Sequence, residues 1–236
     1  MEAEKHITEF VEQLKQALGT NLECVTLFGS AVSQDFHADF SDINLLCIVR
    51  ELSAATLDAL APAFHAWTKK KFPAPMVFSR TELERSADVF SIELLDISQR
   101  HRIFHGEDIF TGMKVPMDLH RVQVEHDLRT KLLTLRQLYM HAAGDEDRIR
   151  KLMLDSVTTF ATLMRHSLIV LGEQPAVHKA DSIAKLAQRV NFDAAIFLQL
   201  LDVRARKVKD SQIDVRAGFS KYLQAIDKVI QAVDAV

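Results

Sequence analysis

The chain holds only two cysteines, Cys24 and Cys47, both inside apolar, strand-like runs and without the CxxC spacing of a zinc site. Buried free thiols are therefore expected, with neither a disulfide nor a structural zinc. Long hydrophobic runs are also lacking. The longest, around Ile43 to Val49, falls far short of the ~20 residues that cross a bilayer. The opening MEAEKHITEF is charged and lacks the basic start and apolar centre of a secretory signal, so a cytoplasmic location is expected. No charge of one sign dominates: the net charge is -3, with 11 Lys+Arg against 17 Asp+Glu in residues 1–116 and 18 against 15 in residues 117–236. Bulk charge thus gives no strong nucleic-acid signal, and RARKVK, Arg204 to Lys209, is a local positive patch that reads as a solvated helix face. There is no internal repeat and no low-complexity segment.

What is present is a change of pattern near residue 116. Ile7, Phe10, Val11, Leu14 and Leu18 recur at helical spacing before Gly19, which predicts an amphipathic helix over residues 4 to 18. LECVTLF, Leu22 to Phe28, is short, apolar and β-branched. INLLCIV is apolar without alternation, as for a central strand covered on both faces. A helix over Leu52 to Lys71 follows, and two prolines then lead into MVFS as a third strand. Thr81 with Glu84 three residues on has the capping-box spacing and predicts one more helical stretch, before RIFHGEDIF closes the unit as a short strand and turn. From Met117 to Ala143 neither Pro nor Gly occurs, and Leu128, Leu132, Leu135 and Tyr139 share a face. Helical patterns recur at about 147–171, 179–190, 194–209 and 215–234. The expected fold class is α+β: an α/β domain with a small mixed sheet over residues 1–116, then an α-helical up-and-down bundle over 117–236.

The chemistry is concentrated in TLFGSAVSQDFHADFSDINLLCIV, residues 26 to 49. Gly29 follows a strand directly, and Ser30 opens the next turn, so free backbone N–H groups and a hydroxyl are offered to an anionic phosphate. On the next strand, the two-residue spacing of Asp42 and Asn44 puts their side chains on one face, where a pair can chelate a cation. A strand ending in GS, about a dozen connecting residues and a strand beginning SDxN resembles the nucleotidyltransferase superfamily that includes the kanamycin and minimal nucleotidyltransferases. RIFHGEDIF is similar to the strand and Gly-Glu turn that ends that family's catalytic domain. The resemblance implies that Gly29 and Ser30 contact the triphosphate of a nucleotide and that Asp42 binds a catalytic Mg²⁺.

Three departures from the family pattern stand out. Asn44 occupies the position of the second strand carboxylate, with one acceptor oxygen and no charge to bridge two hard cations. The strand PMVFS lacks the third carboxylate, and AVSQ stands where an Arg and a Gly commonly follow GS. Two-metal phosphoryl transfer rests on such acids. The expectation is thus a degenerate site with weak Mg²⁺ affinity at most, still able to bind a nucleotide or another small anion through Gly29, Ser30 and Asn44. One alternative is an active Mg-dependent transferase that modifies a small molecule or protein, with a missing acid drawn from Glu82, Asp88, Glu93 or Asp96, or with Glu125 as the general base that the resemblance places on the helical domain. Another is a non-enzymatic module that forms a homodimer or docks a protein partner through its helices. Arg121 and His126 have the Arg-x4-His spacing of a family of helical ribonucleases, but about 140° of helix separates them. His101 and His105 are candidate metal ligands whose plainer reading is the polar rim of an apolar strand. Trp67 and Phe64 read as packing a helix onto the sheet, and Met140, Met153 and Met164 as core.

Overall fold

The computed structural model describes residues 2–32, 43–176 and 178–236. The chain divides into two compact units, Met1–Pro116 and Met117–Val236. The first opens with helix α1, Glu2–Leu18, which Gly19 ends at a positive φ of 51°. Strand β1, Leu22–Phe28, follows, then a 3₁₀ turn, Gly29–Val32, and strand β2, Asn44–Val49. Helix α2, Ala54–Lys69, starts where the Ser53 side chain accepts the Thr56 N–H. Strand β3, Met76–Ser79, leads straight into helix α3, Arg80–Arg85, and helix α4, Ser91–Gln99, precedes strand β4, His101–Gly106.

The sheet has the order β3-β2-β1-β4 and is mixed, with β1 antiparallel to β2 and β4, and β2 parallel to β3. This is the expected α+β class with a small mixed sheet. The two central strands are covered on both faces, which is why they read as unbroken apolar runs. Ile7, Phe10, Leu14, Leu60 and Trp67 of α1 and α2 pack on Val25, Leu45 and Cys47. Leu83, Leu94 and Ile97 of α3 and α4 pack on Cys24, Leu46 and Ile48. Cys24 and Cys47 are both buried and free, and they lie on opposite faces, which rules out a bond between them.

Three local features differ from expectation. The capping box is formed by Ser79 and Glu82, not Thr81 and Glu84. The helical stretch after it is two helices, because Ser86 O accepts the N–H groups of both Val89 and Phe90 in a turn, and Phe90 then packs edge-on against Phe78. Strand β4 carries a bulge: Thr26 pairs with Ile103, but Val25 pairs with His105.

The second unit is all helical: α5 His120–Ala142, α6 Glu146–Val170, α7 Lys179–Val190, α8 Ala195–Arg204 and α9 Val215–Asp234. Helix α6 packs against all four others and carries a wide apolar face that includes Met153, Val157, Phe160 and Met164. Met140, expected in the core, is instead exposed, because α5 turns Leu128, Leu132 and Leu135 inward and Met140 falls roughly 110° around the helix from that stripe. Helix α8 stops at Arg204, so Arg204 to Lys209 is no helix face. Arg204 is buried with its Nη1 donating to Leu154 O at 2.8 Å, and Arg206 takes a positive φ of 57°.

Candidate functional site

At the end of β1 the backbone reverses through Gly29, whose φ of +78° suits glycine and few other residues. A second constraint acts on the same residue. A Cβ at Gly29 would lie 3.0 Å from Asn44 Nδ2, so the turn closes directly over the Asn44 amide. Register explains the meeting, since Phe28 and Asn44 are cross-strand partners at the last rung of the central β1–β2 ladder. Ser30 continues the 3₁₀ turn. Gly29, Ser30 and Asn44 therefore gather at one end of β1 and β2, while Asp42 lies outside the described residues.

Asn44 is in phase with Leu46 and Ile48, two and four residues on, so its half-buried side chain belongs to the sheet face that α3 and α4 cover. That placement matters for the search for a further acid, because Glu93 and Asp96 sit on α4 and Glu82 on α3. Glu82 is used locally, its Oε2 accepting the Ser79 N–H while its own N–H donates to Ser79 Oγ. Parallel register pairs Leu46 with Met76, and the segment from Lys70 to Ser79 contains no acidic residue. Among the described residues, no group of three or more His, Cys, Asp or Glu side chains is placed to hold a metal ion. A neutral amide beneath a glycine turn can donate to or accept from a ligand, but it does not supply the bridging charge that two Mg²⁺ ions need.

The other candidates are placed as follows. His101 and His105 cannot share a metal ion, because the β4 bulge pairs His105 with Val25 on one face of the sheet while His101 stacks edge-on with Phe110 on the other. Glu125 lies between two arginines, accepting from Arg129 Nε at 2.8 Å and Arg121 Nη1 at 2.9 Å. Arg129 first, and then Arg121, hold its carboxyl below the usual carboxylate range, which makes it a poor proton acceptor. Arg121 is engaged there, while His126 projects to solvent beside Asp127, so the Arg-x4-His pair forms no joint site. Trp67 and Phe64 pack in the core between α1, α2 and the sheet, with Trp67 Nε1 donating to Pro73 O at 2.8 Å.

Sequence reasoning did not anticipate the contact between Asn44 and Gly29. A neutral residue opposite the residue before an obligatory glycine was the available signal, but reading it requires the β1–β2 register. No helix among the described residues is long and apolar enough to cross a membrane.

No protein-family model matches the chain, and neither does any curated protein. In structure the chain is similar to the spectinomycin adenyltransferase AAD(9) from Enterococcus faecialis, crystallised with ATP and spectinomycin, with a TM-score of 0.59 at 13% identity over 98% of each chain. Four mixed strands flanked by helices, the glycine turn after β1 and the helical second unit together form a nucleotidyltransferase-like fold.

Proposed function

We propose that the protein is a catalytically impaired nucleotidyltransferase that binds a nucleotide or a related small anion at the end of β1 and β2. The observation that carries this reading is the closure of the Gly29 turn over Asn44. Backbone N–H groups at such a turn, with Ser30, suit phosphate oxygens, and an amide beneath them can donate to the same anion where a carboxylate would repel it. Mg²⁺ then contributes weakly, through Asp42. Because the structurally similar adenyltransferase was crystallised with ATP, nucleoside triphosphates are the first probes to use.

The test is calorimetric titration of the purified protein with each nucleoside triphosphate, in Mg²⁺ and in EDTA. Binding that survives EDTA and weakens in a Ser30→Ala variant is expected. Binding that needs Mg²⁺ and vanishes in Asp42→Ala would move the protein to a second reading, an active Mg-dependent nucleotidyltransferase. The specific observation in favour of that second reading is the covering of the Asn44 face by α4, which carries Glu93 and Asp96. Transfer of a nucleotidyl group to a small molecule or protein would then be measured directly with labelled ATP. If no nucleotide binds under either condition, both readings fall and the helical unit, as a homodimer or protein-docking module, becomes the object of study.

A further inference from the structure

Six of the nine large hydrophobic side chains exposed among the described residues fall between Met117 and Met140, in or just before α5. Three of them form a line. Val122, Leu133 and Met140 are 52%, 58% and 68% exposed. At about 100° of turn per residue they lie within about 20° of one another, along about 27 Å of the helix axis. Single exposed apolar residues are ordinary on a protein surface, but apolar residues aligned on one face and rimmed by polar ones mark an interaction surface. The stripe that folds α5 onto its bundle is a different one, the buried Leu128, Leu132 and Leu135.

The border of the exposed stripe says what covers it. One side is charged, with Glu125, Arg129 and Arg136 of α5 backed by Asp227 and Asp234 of α9. Arg129 pairs with Glu125 at 2.8 Å and with Asp234 at 3.3 Å, and Arg136 pairs with Asp227 at 3.1 Å. Two cations are thus met by three carboxylates, so this border favours neither a basic nor a strongly acidic partner. The other side is polar and carries His126 and Gln137.

A two-fold axis turns this border into its own complement. With a second copy of α5 laid antiparallel on the first and the axis level with Lys131, Val122 meets Met140 of the second copy, and the two Leu133 side chains approach across the axis. On the charged side, Arg136 then falls within about 1.5 Å of rise of Glu125 of the second copy. On the polar side, His126 falls equally close in level to Gln137 of the second copy. Each contact occurs twice, as an isologous interface requires. The two Arg129 side chains also near the axis, but each already holds Glu125 and Asp234 of its own copy, so no bare like charges are set together. A parallel arrangement brings the charged side of one helix against the polar side of the other, and the match is lost.

From this self-complementarity we infer that the exposed face of α5 is a self-association surface, through which two copies of the chain pair antiparallel about Lys131. The contact strip is about 27 Å long on a helix about 10–12 Å wide, an area at the low end for a specific interface. A reversible dimer is therefore expected, not an obligate one. The surface belongs to the helical unit, and the pairing does not depend on what the glycine turn binds.

The test is sedimentation equilibrium of the full chain over a concentration series reaching several hundred micromolar. The average mass should climb from that of one chain toward that of two. Leu133→Glu sets two carboxylates near the axis and should hold the mass at one chain throughout, with an unchanged far-UV spectrum because Leu133 is exposed. Arg136→Glu should weaken the pairing about fivefold. Register is read by oxidising engineered cysteines, since the native Cys24 and Cys47 are buried. The double variant Val122→Cys, Met140→Cys should cross-link into a covalent dimer, and Val122→Cys alone should not. A mass that stays at one chain at every concentration overturns the inference and leaves the face to a partner of different sequence. A dimer that survives Leu133→Glu, pairing that Arg136→Glu does not weaken, or a Val122→Cys chain that cross-links by itself overturns it too, because the copies then meet elsewhere or in parallel. If Leu133→Glu does not fold, the wild-type mass and the cysteine pair still decide the matter.

Discussion

Gly29 and Asn44 constrain each other, and each predicts the effect of changing the other. An alanine at position 29 must accept a φ near +78° and press its Cβ to 3.0 Å from the Asn44 amide. Strain of this kind costs about 1–3 kcal/mol. Gly29→Ala should therefore lower the urea midpoint and weaken triphosphate binding at least tenfold, both measurable on the same preparation by unfolding and by calorimetry. Asn44→Asp tests the charge argument from the other side. Restoring a carboxylate beside Asp42 should raise Mg²⁺ affinity, and an unchanged Mg²⁺ isotherm would mean that the missing charge is not what impairs the site. Both residues could be picked out in the sequence. Their contact could not, because it depends on Phe28 and Asn44 being cross-strand partners.

At the scale of elements, the capping of α3 shows where local pattern stops being decisive. Ser79 and Thr81 each have a glutamate three residues on, so the sequence offers two equivalent capping boxes. Strand pairing chooses between them. The parallel β2–β3 register ends at Val49 and Ser79, which frees the Ser79 side chain to accept the Glu82 N–H at 3.2 Å. Ser79→Ala should cost about 1 kcal/mol, whereas Thr81→Ala should cost a few tenths at most, and paired thermal melts distinguish them. The β4 bulge was likewise invisible to periodicity. A strict two-residue alternation puts His101 and His105 on one face, and one extra residue separates them. Met140 illustrates the same limit on a helix. Its apolar character said core, but the stripe of Leu128, Leu132 and Leu135 had already claimed the inward face of α5.

At the scale of the whole molecule, stability is linked to protons through a buried histidine pair of the helical unit. His120 and His166 are both buried, with His120 Nε2 and His166 Nδ1 3.4 Å apart. Burial, and then the charge of His166, push the His120 imidazole down to about 4 from an ordinary value of 6.5. Between those values the unfolded chain binds more protons than the folded one, so stability should fall as pH drops from 6.5 toward 4, and this group should have no effect above that window. Urea midpoints taken at pH 7, 5.5 and 4.5 check the slope, which His120→Phe should flatten. The sequence by itself determined the α+β class, the apolar central strands and the glycine turn, because strand and helix periodicity and the demand for a positive φ are local properties of the chain. Tertiary structure alone decided that Asn44 lies beneath that turn, that Ser79 and not Thr81 caps α3, and that His101 and His105 face apart. Those outcomes depend on pairing register and on which face a neighbouring helix covers, and neither is written in any one stretch of residues.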